Sequence, residues 1–189
     1  MDAKRPVGSL SLEEFQRQLM AGDSITGAVA VAAVTAWMAV SVLRMVLGVA
    51  ARKNDSAEIQ KLMAAAESIS ERLAKAPDED RAAYASYIDA RRQPKSSAER
   101  NVAITAALRR ATEIPLAAAR AGKDALGLCR EAAGIIEGDI AADIRGAAAL
   151  LAGAIRAILT SVDANLQRLE GQPFHPQLAA ERKQLADRV

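Results

Sequence analysis

The twenty residues SITGAVAVAAVTAWMAVSVL, Ser24 to Leu43, carry no charged side chain. A run of that length forms either a helix across a bilayer or the buried central helix of a bundle. Its composition separates the two. The run holds five Val, one Ile, one Leu and no Phe, and those seven residues together contribute about −2 to −4 kcal/mol towards insertion. Most of the other positions are Ala, Ser, Thr and Gly, which add little or oppose it. Lys4 and Arg5 on one side and Arg52 and Lys53 on the other give no orientation bias. The sequence therefore predicts a packed helix and no membrane partner.

The rest of the chain supports a helical body around that segment. Alanine supplies 44 of the 189 residues and aromatics only 3%. Alanine is the best helix former, and the β-branched and aromatic residues that favour strands are scarce outside the uncharged run. The expected fold is all-α, a single-domain bundle of long, mostly antiparallel helices held close by small side chains. Ser11 with Glu14 makes a capping box, after which Leu12, Phe15 and Leu19 line one face up to a stop at Gly22. A second helix is expected from near Thr26 or Gly27 to about Arg52. Asp55 with Glu58 opens a third, with Ile59, Leu62, Met63, Ala66, Ile69 and Leu73 at core spacing.

Pro77 should kink or interrupt that helix and start a fourth, from about Asp78 to Arg92. Ser96 and Glu99 suggest another capping box, opening a helix that runs almost to Glu137 with a bend at Pro115. Gly138 and Asp139 mark a stop and restart, and a last long helix reaches about Glu170. This gives one helical domain over 10–170, followed by a polar tail over 171–189 with a short helix near Pro173 and Pro176.

Charge and rare residues narrow the function. With 25 basic and 23 acidic residues and a net charge of +2, there is no strong field for nucleic acid or an anionic membrane surface. Two Phe, two Tyr and one Trp are too few for a base-stacking platform, so no nucleic-acid partner is expected. A single cysteine, Cys129, excludes an internal disulfide framework and is expected to be a core thiol. The single His175 cannot build a His-based metal site and is read as a solvated surface residue, so no metal is expected. The opening MDAKRPVGSLSLEEFQRQL has an amphipathic, acidic segment where a secretory signal has its apolar core. Together with cysteine usage, this points to the cytoplasm.

The densest charged stretch is PDEDRAAYASYIDARRQPK. Asp80, Tyr84, Tyr87 and Arg91 recur at four, seven and eleven positions and so share one helical face. A carboxylate, two phenols and a guanidinium there could protonate a leaving group or stabilise a cation. The alternative is an acidic helix N-terminus complementing the helix dipole, with two half-buried tyrosines. From spacing alone the second arrangement is the commoner.

Four ordered motifs carry a resemblance. In DEDRAAYASYIDARRQPK, the residues Asp78, Asp80, Ala83, Tyr84, Pro94 and Lys95 fit an acidic pair, Ala-Tyr, and a later Leu-Pro-Lys in which Gln93 stands for leucine. In ALRRATEIPLAAAR, Ala111, Pro115 and Leu116 fit an alanine helix followed by Val-Pro-Leu. In EGDIAADIRGAA, Gly138, Asp143 and Ala147 fit Gly-Asn-x-x-x-x-Ser-Asp-x-x-x-Ala, with Asp139 for Asn and Ala142 for Ser. In SVDANL, Val162, Asn165 and Leu166 fit Asn-Val-x-x-Asn-Leu, with Ser161 for the first Asn. In this order the motifs resemble the methenyltetrahydrofolate cyclohydrolase/formiminotetrahydrofolate cyclodeaminase family over roughly Leu10 to Leu169.

The resemblance implies a homodimeric folate one-carbon enzyme. It would hydrolyse 5,10-methenyltetrahydrofolate to 10-formyltetrahydrofolate or deaminate 5-formiminotetrahydrofolate, with no cofactor beyond the tetrahydrofolate substrate. It makes Asp80 the proton shuttle and Tyr84 a pocket wall. Lys95, with Arg91 or Arg92, would attract the glutamate tail. Asp143 would be a second polar wall and Gly27 a remnant of a glycine cradle. Relatives carry Pro-Thr-Pro-Gly-Gly-Gly-Ser where SITGAVAVAAV stands here, with Ala28 and Val29 over two of the glycines. That departure supports a second reading, a non-catalytic helical family member acting as a binding or assembly protein.

Overall fold

The computed structural model describes residues 5–21, 27–54, 56–187 and 189. Among them the chain is all-helical: α1 Leu12–Met20, α2 Ala28–Lys53, α3 Ala57–Arg92, α4 Ala98–Ala133, α5 Ala141–Arg168 and α6 His175–Ala186. The expected stop at Gly22, the start near Thr26 and the cap at Asp55 fall outside the described residues. A 3-10 turn, Val7–Ser9, precedes α1.

The long helices α2 to α5 form a ring in which each packs against the next and α5 closes on α2. Short connections between neighbours make successive helices antiparallel. Leu43 and Leu47 of α2, Leu73 of α3, Leu116 of α4, and Leu151, Ile155 and Ile158 of α5 fill the centre. Between them stand buried small residues, including Ala33, Ala36 and Ala39 of α2 and Ala119, Ala121 and Ala125 of α4. At Gly122 of α4 a Cβ would meet Ile155 Cγ1 at 3.0 Å, so the α4–α5 approach depends on the missing side chain. Both α2 and α5 are long and apolar enough to cross a membrane. In the bundle, the inward faces of both are enclosed by neighbouring helices.

Two helix boundaries differ from expectation. Pro77 lies inside α3, which continues to Arg92 without a separate fourth helix. Leu73, Ala76, Pro77 and Ala83 are all buried, and their packing carries the helix past the lost backbone hydrogen bond. Asp78 and Asp80 are therefore in mid-helix, and the reading that placed them at a helix N-terminus does not hold. The cap of α4 is Ser97 rather than Ser96, and it makes no side-chain capping bond. For α3, Ser56 caps, accepting from Ile59 N–H. The Ser11–Glu14 capping box of α1 is complete in both directions.

The ends of the chain are fastened differently. Both carboxylate oxygens of Asp78 accept from the Val7 N–H at 3.1 Å, and Arg81 bridges Asp78 Oδ1 and the Arg5 carbonyl. α1 buries no residue, and Leu12 on its expected apolar face is 81% exposed. At the other end, α6 packs on α4 and α5 through the buried Leu178 and Leu185. Arg182 of α6 holds both oxygens of Asp163 at 2.6 Å.

Candidate functional site

The helix polarity brings four walls together at one end of the ring. They are the first turn of α2, the second half of α3, the first half of α4 and the last two turns of α5. These enclose a cavity of about 320 Å³, at the lower end of the range for small-molecule sites. Gly27, Ala28 and Val29 line it from α2; Asp80, Tyr84 and Tyr87 from α3; Leu108 and Ala111 from α4. Ser161, Asn165 and Arg168, at i, i+4 and i+7 on one face of α5, close it with Ala164.

Asp80 is half-buried, and its carboxyl has no hydrogen bond or ion pair among the described residues. Burial pushes its pKa up to about 6, and no neighbouring cation offsets the shift. The partner of the acidic pair behaves oppositely: Asp78 is spent on Val7 and Arg81. One carboxylate therefore fastens the N-terminal segment, and the other faces the cavity two residues on. Tyr84 and Tyr87 stand beside it with ring centroids 6.1 Å apart.

Gly27 is the N-cap of α2, in extended backbone with no side-chain cap. The N–H groups of the following turn have no intrahelical acceptor, so the positive end of the α2 dipole is at the cavity. Among the described residues nothing lies within 4 Å of a Cβ built at Gly27. Val29 is buried in the wall, and the cavity persists with it in place.

Asn165 is held by a device that joins two sequence motifs. Pro115 has no N–H to give the carbonyl of Ala111, four residues back in α4. Asn165 Nδ2 donates to that carbonyl instead, at 2.9 Å. This fixes the amide's orientation and uses its nitrogen, while its oxygen remains an acceptor. Sequence reasoning placed Asn165 in a matched motif and gave it no role; Arg168 it did not single out.

Three expected site residues are not brought to the cavity. Arg91 lies one turn beyond Tyr87, with its guanidinium carbon 5.8 Å from the Tyr87 ring centroid. Lys95 is exposed in the turn between α3 and α4, at the same end of the bundle but outside the lining. Asp143 is exposed in the first turn of α5, twenty-two residues before Asn165, or about 33 Å along the helix. Within one chain it cannot be a wall of this cavity. Gly138, from the same motif, has φ +84°, a left-handed conformation that explains a glycine there without any ligand.

Residues 11–184 match the family model for formiminotransferase-cyclodeaminase. The chain belongs to this family. In shape, the chain is similar to the crystal structure of formiminotetrahydrofolate cyclodeaminase from Thermotoga maritima, with a TM-score of 0.86. The two are 22% identical, and the match covers 95% of this chain and 89% of that one. No curated protein matches the chain. The all-α bundle is thus the cyclodeaminase fold, and the four motifs lie within the stretch that the family model matches.

Proposed function

We propose that the chain is a folate one-carbon enzyme acting at the cavity around Asp80. The observation that carries this reading is an unpaired, half-buried carboxyl in a cavity, on the fold of a cyclodeaminase, with a pKa brought towards neutrality by burial. In the hydrolytic direction, water adds to the methenyl carbon of 5,10-methenyltetrahydrofolate and Asp80 takes its proton. Asp80 returns that proton to N5 as the C–N5 bond breaks, and the hydroxyl on the same carbon releases its own proton to solvent as the C=O bond forms, leaving 10-formyltetrahydrofolate. In the deaminating direction, N10 attacks the formimino carbon of 5-formiminotetrahydrofolate. Asp80 then passes the N10 proton to the departing ammonia. Hydrolysis starts from the methenyl amidinium and deamination ends on it, and the carboxylate beside the bridging carbon stabilises that cation in both. Neither requires a metal or redox cofactor.

The test is direct. Purified protein mixed with 5,10-methenyltetrahydrofolate should remove its ultraviolet absorbance faster than the spontaneous background, or release ammonia from 5-formiminotetrahydrofolate. Background rates with both substrates, and no folate binding by calorimetry, would support the non-catalytic reading that Ala28 and Val29 raised.

The same reading includes a homodimer in the cytoplasm. Val31, Met38 and Met45 repeat every seven residues along the outer face of α2 and are 39%, 48% and 48% exposed. On α5, which packs against α2, Gly146, Leu150, Gly153 and Ala157 are exposed. This uncharged, small-residue surface suits a second copy of the chain. The protein should sediment at twice its 19.9 kDa mass, and Met38→Glu with Met45→Glu should give the monomer at the same concentration. A wild-type monomer, or a double variant that still sediments as a dimer, would rule out this face.

A further inference from the structure

We propose that Arg168 is the anion-recognising residue of the cavity, pairing with a carboxylate of the ligand on the wall opposite Asp80. The inference rests on the folate reading, in which that carboxylate belongs to the glutamate tail. Among the described residues, Arg52, Arg110, Arg145 and Arg168 are the arginines without a hydrogen bond, ion pair or ring contact. Of these four, Arg168 lines a cavity. A larger depression of about 500 Å³ between α4 and α6 also holds cations, but they are engaged: Arg120 by Glu181 and Lys123 by the Gln184 carbonyl.

The topology sets the spacing of the two charges. α3 and α5 are diagonal in the ring, so Asp80 and Arg168 stand on opposite walls and make no ion pair with each other. A ligand with a cationic centre at one end and a carboxylate at the other matches that arrangement. An ion pair inside the cavity would instead neutralise both groups before a ligand arrived. The planar guanidinium can grip a carboxylate with two parallel hydrogen bonds, which a lysine ammonium cannot. Arg168 also sits in the last turn of α5, where any cation complements the helix dipole. That structural role does not need the fork, and the experiment separates the two.

Calorimetry under anaerobic conditions would measure binding of tetrahydrofolate and of tetrahydropterin, which lacks the glutamate, to wild type, Arg168→Gln and Arg168→Lys. Thermal melts would confirm that each variant folds. Arg168→Gln should weaken tetrahydrofolate binding by about tenfold or more and leave tetrahydropterin unchanged, with Arg168→Lys between the two. No loss, or an equal loss for both ligands, would overturn the role of Arg168 while the folate reading stands. Wild type binding neither ligand would overturn both.

Discussion

Asp80→Asn should melt at a higher temperature than the wild type at pH 8 while losing nearly all its activity. The two effects have one cause. The Asp80 carboxyl has a pKa of about 6 in the folded chain, against an ordinary value of 3.8, because burial disfavours its charge. Above pH 6 the folded protein carries that charge in a poorly solvated place, whereas the unfolded chain carries it in water. The folded state is therefore penalised at pH 8 by about 2–3 kcal/mol. As the pH falls the penalty shrinks, and below 3.8 the group is protonated in both states and it vanishes. Asparagine removes the charge, so the variant's advantage should be greatest at pH 8 and fade between pH 6 and 4. For a chain of this length it amounts to about 4–12 °C in Tm. On the proposed mechanism, kcat should drop by about 10²–10⁴, and wild-type activity should fall as the pH is lowered through 6. Calorimetric scans at pH 8 and 4, with parallel turnover assays, check both. An Asp80→Asn variant as active as wild type would remove the proposed proton shuttle.

The contrast between readable and unreadable features follows from how local each cause is. The bundle was legible because alanine content and apolar spacing act within one helix, as do the Ser11–Glu14 box and the Gly138 turn. Pro77 was misread because its local cost, about 3 kcal/mol in a helix interior, was weighed without the packing on both sides of it. Asp80 and Tyr84 could be picked out by their spacing on one helix and by motif resemblance. The α5 wall could not, since Ser161, Asn165 and Arg168 have the spacing of any exposed helical face, and their partners lie tens of residues away. Asp143 shows the reverse case. Its motif placed it by order along the chain, but a helix carries residues away from a site at 1.5 Å per position.

The coupling between Pro115 and Asn165 makes a second, quantitative expectation. In the wild type, the Ala111 carbonyl has no backbone N–H from position 115 and relies on Asn165 Nδ2. Ala111 is buried, so replacing Asn165 with leucine, of similar size, strands that acceptor away from water. The cost should be about 1–3 kcal/mol in urea unfolding. In a Pro115→Ala background the new N–H reaches the Ala111 carbonyl in the ordinary helical manner. Asn165→Leu should then cost little, because no acceptor is left unsatisfied. The effect of Pro115→Ala alone mixes helix propensity with packing in the buried wall, so only the interaction energy of the double-mutant cycle is diagnostic. It should equal most of the single-variant cost. Additive effects would mean that the amide is held by something other than the carbonyl that proline frees. A large coupling would identify the Pro-Leu and Asn-Leu motifs, fifty residues apart in the chain, as two halves of one support for the α5 wall of the cavity.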